Sequence, residues 1–241
     1  MQSANTTGKL IVLEGTDGSG KRTQAELLVA RLKSAGHGTE TKSFPQYGKK
    51  SAGMIEEYLN GVYGEADTVN PYAASLFFAL DRFDAAMDIR RWLADGKIVV
   101  LDRYTDSNVG HQGGKIADKG ERRKFVEWLY REEYKLMGIP RPDLVLILHV
   151  RALLGQELVG RKEKREYLSG ERSHDGHEKN LAHLEAAERA YLWLAEEQPH
   201  DHRVIECIEN NALLAREEIH KRIWEAIEKK FPQMAVTSRN A

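Results

Sequence analysis
Seven residues near the start of the chain leave it few possible folds: Gly15-Thr16-Asp17-Gly18-Ser19-Gly20-Lys21. An apolar run, Leu10-Ile11-Val12-Leu13, precedes them, and a helical pattern from about Thr23 to Leu32 follows. A strand that turns through glycines into a helix aims consecutive backbone N–H groups at one point. The helix N-terminus adds partial positive charge and Lys21 a full one, so the turn reads as a cradle for phosphate. One position breaks the pattern. The hydroxyl that ligates Mg2+ in such loops directly follows the lysine, and here that residue is Arg22, with Thr23 one place later. A helix turns by about 100° per residue, so Thr23 is a poor substitute. Arg22 is expected either to point away from the phosphates or to add a cation to them.

Composition narrows the remaining choices. The chain has 241 residues, 41% hydrophobic and 30% charged, enough apolar side chain for a real core. A net charge of −1 gives no global field favouring nucleic acid or an anionic membrane. The lone Cys207 excludes an internal disulfide and suits a reducing compartment, where it reads as a small buried apolar residue. Residues Met1 to Gly8 lack the apolar stretch of a signal peptide, and the longest apolar run, Leu144 to Leu148, is far too short to span a bilayer. The expectation is a soluble cytoplasmic protein with neither nucleic acid nor membrane as partner.

Further apolar runs mark strands: Ile98 to Leu101, ending in Asp102; Leu144 to Leu148, ending near His149; and a weaker one, Arg203 to Glu206. The first two do not alternate, as suits a parallel sheet covered on both faces. Thr39 to Phe44 is a candidate for another strand. Helical stretches of crossover length lie between these runs. Pro71 opens one of them, and Ala73, Leu76, Phe77, Leu80, Phe83 and Met87 form a stripe expected to face the core. Ile219, Ile223 and Ile227 mark a last helix, and Trp92, Trp128, Trp193 and Trp224 read as core or interface anchors. The alternation implies one doubly wound α/β domain over residues 9–232, with ligands at the carboxyl ends of its strands. Residues 1–8 and 233–241 read as frayed ends.

The stretch from Gly160 to Arg172 is dense in charge and bounded by glycines. By itself it reads as a solvated loop. Beside a phosphate loop it reads as a lid, spanning about 160–178, whose arginines close over phosphates. The His-rich cluster Ser173-His174-Asp175, His177-Glu178 and His183 lacks the spacing of a zinc site.

Three segments in order resemble the thymidylate kinase family. They are Glu14 to Lys21 with Thr23-Gln24, Leu76 to Arg82, and Asp102-Arg103-Tyr104-Thr105-Asp106-Ser107 followed by Gln112-Gly113. The resemblance runs from about Lys9 to Ile227. It implies a P-loop NTPase-type, doubly wound, parallel five-stranded sheet with helices on both faces and a lid. It also implies transfer of a phosphoryl group from ATP to dTMP with Mg2+, in a homodimer. Residue by residue, it implies that Gly15 to Thr23, with Arg165 and Arg172 of the lid, hold ATP, Arg161 being the weaker candidate. Lys21, Arg103 and Asp17 would be catalytic, and Asp102 would hold the metal. Phe78 would stack on the pyrimidine, Arg82 and Gln112 would hydrogen-bond it, and Tyr104 and Ser107 would line the same pocket. Asp17 and Arg103 would also meet the acceptor.

Several positions depart from the family pattern. Tyr47 stands where an arginine usually grips the acceptor phosphate, leaving Lys42 or Lys49 as substitutes. His111 replaces a frequent aromatic residue, Gly176 and His177 replace lid residues, and His149 replaces a frequent Asp. These departures keep two other readings open: a kinase for another pyrimidine, such as dUMP or a deoxynucleoside, and a nucleotide-binding protein without catalysis.

Overall fold
The computed structural model describes residues 8–167, 181–232 and 234, and of residues 160–167 only the backbone. Five strands, β1 (Lys9–Glu14), β2 (Thr39–Ser43), β3 (Ile98–Asp102), β4 (Leu144–His149) and β5 (His202–Glu206), form one parallel sheet in the order β2-β3-β1-β4-β5. All the expected strands are present, including the candidate at Thr39. The non-alternating runs in β1, β3 and β4 are buried on both faces, whereas the edge strand β2 alternates. The order reverses beside β1, which opens a crevice at the carboxyl ends of β1 and β3.

Eight helices complete the described residues: α1 (Lys21–Ser34), α2 (Gly53–Leu59), α3 (Pro71–Ala94), α4 (Asp106–His111), α5 (Lys119–Tyr130), α6 (Ala152–Tyr167), α7 (Leu181–Glu197) and α8 (Arg216–Lys230). A two-residue-per-strand hairpin, β6 (Ile208–Glu209) and β7 (Ala212–Leu213), follows β5. One apolar layer packs Leu28 and Leu32 of α1 and Ile219, Ile223 and Ile227 of α8 on the sheet, with Cys207 and Trp224 buried among them. The opposite layer packs Ala85, Ala86 and Ile89 of α3 with Tyr104 and Tyr191. Trp193 is buried in a third cluster around α5 and α7, and Trp92 and Trp128 are half-buried. No helix among the described residues is long and apolar enough to cross a membrane.

The start of α3 follows from its sequence: Pro71 fits the first turn, and the Asn70 side chain accepts a hydrogen bond from Tyr72 N at 2.9 Å. Its buried face does not. The expected core stripe lies outside, with Leu76 39%, Leu80 49%, Phe83 48% and Met87 75% exposed. The buried face is instead the opposite one, built from Ala74, Ala79, Ala85, Ala86 and Ile89 with Ser75, Asp81 and Arg82, of which Ala85, Ala86 and Ile89 pack with the sheet. Small side chains let the α3 backbone lie close to the strands. Apolar periodicity reports that a face is greasy, not which surface covers it.

Residues 1–7, 233 and 235–241, expected to be frayed, lie outside the described residues. So does most of the expected lid, including Arg172 and the His174–Glu178 cluster. The backbone of α6 carries the first part of that stretch as helix, and the side chains of Arg161 and Arg165 are outside the described set.

Candidate active site
The phosphate loop leaves β1 through Gly15, at φ 140°, where a Cβ would lie 2.6 Å from the carbonyl oxygen of Leu148. Only glycine lets the chain turn so close to the end of β4. Lys21 opens α1 and is buried, its Nζ donating to the Thr16 carbonyl at 2.7 Å and to Ser19 Oγ at 3.3 Å. Burial pulls this ammonium down to about 8, and Arg103 adds to the fall while Asp17 and Asp102 oppose it. The ammonium therefore sits within the loop, against the Thr16 carbonyl and Ser19 Oγ, among groups of both signs.

Arg103 follows β3 directly and adopts a left-handed backbone at φ 64°, with its N–H bonded to the Leu13 carbonyl. A non-glycine residue held there is strained, and the surrounding sheet fixes it. The turn aims the guanidinium across the crevice, where one nitrogen donates to Asp17 Oδ1 in the phosphate loop and another lies 3.0 Å from His111 Nε2. Burial would raise the Asp17 carboxyl, but Arg103 and Lys21 outweigh it and hold it well below the usual carboxylate range. Burial likewise opposes the charge on Arg103, and Asp17 together with Tyr191, Asp102 and Glu14 outweighs it. Arg103 thus pairs with neither Asp102 nor Asp106. Asp102 Oδ2 accepts from Ser43 Oγ at 3.4 Å, while its Oδ1 is buried without a hydrogen-bond partner.

The residues expected around a base separate into two groups. Phe78 is half-buried and meets the Tyr58 ring edge-on at 6.0 Å, and the buried Gln112 amide lies 3.3 Å from Tyr58 Oη. Both therefore meet Tyr58 of α2. Arg82 is fully buried and held in place: Nε and Nη2 donate to Glu133 at 2.7 and 2.5 Å, and Nη1 to the Tyr104 carbonyl at 3.2 Å. Its role in the described structure is to tie α3 to the π-turn (Arg131–Leu136) that extends α5. Tyr104 points into the apolar layer against Phe44, its hydroxyl donating to the Pro140 carbonyl. Ser107 donates through both Oγ and N to Glu14.

Arg22 points away from the loop, 80% exposed and paired with Glu26 at 3.2 Å, and Thr23 is exposed. Lys42 is drawn to Asp88 and the Trp92 ring, and Lys49 to Gln46 and Asp84. Tyr47 is 57% exposed. His149 bridges Glu188 and Glu206, and hydrogen bonding to Glu188 leads the rise in its pKa.

The sequence marks Glu14 only as part of a motif, without a role of its own. It is buried and accepts from Tyr104 N, Ser107 N, Ser107 Oγ and Tyr191 Oη at 2.7 to 3.0 Å. Burial, with Asp106 nearby, pushes its carboxyl up to about 7. Glu133 was missed because it sits in a charged run, Arg131-Glu132-Glu133, that reads as a solvated face. The pairing of His111 with His183, and of His183 with Asp67, carried no signal in the spacing.

The thymidylate kinase family matches residues 13–229. A thymidylate kinase of Mycobacterium tuberculosis is 35% identical over 157 residues, covering 64% of this chain and 72% of that protein. The human thymidylate kinase is 33% identical over 144 residues, 60% of this chain and 62% of that protein. That of Pseudomonas entomophila is 30% identical over 210 residues, 87% and 92%. A solved thymidylate kinase of Candida albicans shares the fold, with a TM-score of 0.69 at 24% identity over 92% of each chain. Because the family match runs from the end of β1 into α8, and so takes in the phosphate loop, the β3 turn and the helices around them, the chain belongs to the thymidylate kinase family.

Proposed function
We propose that this enzyme transfers the γ-phosphoryl group of ATP to dTMP, giving dTDP and ADP. The observation that carries the reading is the meeting of Arg103, at the end of β3, with Asp17 inside the phosphate loop, beside Lys21. Phosphoryl transfer needs little from a protein except position and neutralised charge. In this reading Lys21 and the loop amides from Gly15 to Lys21 hold the donor phosphates. A dTMP phosphate oxygen bonds to the γ-phosphorus as the bond to the bridging oxygen of ADP breaks. Arg103 stands where negative charge is shared between donor and acceptor, and Asp17 fixes its guanidinium plane. Phe78 and Gln112 take the base, one by stacking and the other by hydrogen bonds.

Mg2+ fits the residues present, because Asp102 offers a buried carboxylate oxygen without a protein partner at the ligand edge of the sheet. Among the described residues no group of three or more His, Cys, Asp or Glu is arranged to hold a metal ion by itself, so in this reading phosphates and water supply the other ligands. When bound, Mg2+ supplies neutralisation of the donor phosphates. Arg165 and Arg172 complete the donor site in this reading. The exposed stripe Leu76, Leu80, Phe83 and Met87 supports a homodimer formed through α3, since a lone chain gains nothing by exposing it. The buried single cysteine suits the cytoplasm.

A second acceptor has one observation in its favour. Tyr47 replaces the expected phosphate-gripping arginine, and both Lys42 and Lys49 are engaged by carboxylates. An ADP-release assay with dTMP, dUMP, thymidine or no acceptor decides. A clear preference for dTMP is expected. Turnover with thymidine alone overturns the monophosphate reading, and ATP binding without turnover overturns catalysis.

A further inference from the structure
Arg103 is gripped from two sides, and only one side is the phosphate loop. The other begins in the loop between α2 and α3 and crosses two histidines. Asp67 Oδ1 lies 3.1 Å from His183 Nδ1, His183 Nε2 lies 3.2 Å from His111 Nδ1, and His111 Nε2 lies 3.0 Å from an Arg103 nitrogen. The imidazole rings are near-parallel, 18° apart. Gly110 permits this, since a Cβ there would lie 2.3 Å from the Tyr191 ring of α7, the helix that carries His183.

The chemistry of the two ends dictates every proton between them. Arginine only donates, so His111 Nε2 must accept. His111 Nδ1 then carries the hydrogen and donates to His183 Nε2, and His183 Nδ1–H donates to Asp67. With these partners the chain requires both imidazoles to be neutral and in the Nδ1–H form. One further proton on either ring sets two donors face to face.

We propose that His111 and His183 are positioning residues that hold the Arg103 guanidinium in its reactive orientation through a one-way hydrogen-bond chain from Asp67, closed only while both imidazoles are neutral. The proposal rests on Arg103 acting at the transferring group.

The surroundings are consistent with this. His183 is buried, and burial lowers its pKa, with Lys115 adding to the fall and Asp67 and Asp17 opposing it. Among the described residues, those around His111 include Arg103 from the β3 turn, Asp17 from the phosphate loop, and His183 and the edge of Tyr191 from α7. Around Arg103 stand Asp17, Asp102, Glu14 and Tyr191. Lys115 steadies the Asp67 loop by donating to the Ala66 and Val69 carbonyls.

The test has two arms. In the first, kcat and KM for dTMP are followed across pH for the parent enzyme, His111→Phe, His111→Gln, His183→Phe and Arg103→Lys. Both phenylalanine variants are expected to lose about tenfold or more in kcat with little change in KM, as misplaced reacting groups do. His111→Gln, whose amide oxygen can still accept from Arg103, should recover most of that loss and remove the acid limb that the imidazole imposes. Any limb that remains belongs to another group, such as the phosphate of dTMP or the Glu14 carboxyl near Arg103. Parent-like kcat and pH profile in both phenylalanine variants overturn the proposal. The second arm reads the tautomers by 15N NMR of histidine-labelled protein, assigned through the same variants. Two rings held as Nδ1–H, the minor form of free histidine, are expected. The Nε2–H form in either ring overturns the chain, whatever the kinetics. An Arg103→Lys enzyme of parent activity, with the NMR result intact, defeats the catalytic reading of Arg103 while leaving the chain itself demonstrated.

Discussion

Arg103 concentrates more of the proposed chemistry than any other side chain. It is strained at the backbone, paired with Asp17 and bonded to His111, so a lysine in its place loses the planar fork that makes both contacts at once. Arg103→Lys is expected to lower kcat by about 100-fold or more, with a smaller effect on KM for dTMP, measured by steady-state kinetics. Arg22 is the opposite case. It replaces a metal-binding hydroxyl yet points into solvent beside Glu26. Its ion pair is exposed and adds little to stability. Arg22→Ser restores a hydroxyl at the motif position, so the Mg2+ concentration for half-maximal turnover should fall while the melting temperature stays unchanged. A Mg2+ titration of ADP release checks this, and an unaltered titration curve defeats it.

At the scale of elements, α3 serves two surfaces. Its small residues lie on the sheet, and its large ones, Leu80, Phe83 and Met87, face outward. Placing a carboxylate on the outer stripe by Phe83→Glu is expected to leave the fold intact, because the side chain is already half-exposed. It should shift a homodimer toward monomer. Sedimentation at matched concentrations reads the change, and a parent protein that is monomeric already removes the stripe as the dimer surface. The inner face explains Arg82. Its bidentate pair with Glu133 is buried, so losing either partner leaves an uncompensated charge. The helix and the α5 extension are thereby locked in one register.

At the scale of the whole molecule, the edge of the sheet carries a charge that pH can remove. His202 of β5 is buried between Asp106 of α4 at 2.8 Å and Asp201 at 3.0 Å. Burial opposes the imidazolium, but the two carboxylates outweigh it and raise its pKa from 6.5 to about 9. The folded state therefore favours the proton. The stabilisation is complete below pH 6.5 and disappears as pH rises through about 9. Its ceiling is about 3 kcal/mol. Denaturant unfolding should show the parent losing stability across that window, while His202→Gln, less stable at neutral pH, shows a flatter profile. Parallel profiles in the two proteins defeat the prediction.

By itself the sequence determined the strands, the order of elements and the phosphate cradle. These are local matters: β1, β3 and β4 announce themselves as unbroken apolar runs, and the Gly15 to Lys21 turn as a backbone only glycines permit. The family motifs brought Asp17, Arg103, Phe78 and Gln112 to attention without geometry. Only the tertiary structure decided who meets whom. Asp17 and Arg103 are 86 residues apart in sequence and touch because β3 lies beside β1 in the sheet. The covered face of α3, the capture of Arg82 by Glu133, the four donors on Glu14 and the histidine chain from Asp67 all depend on neighbours distant in sequence. Periodicity and spacing describe one segment at a time, whereas burial and pairing belong to the surfaces that the sheet order brings together.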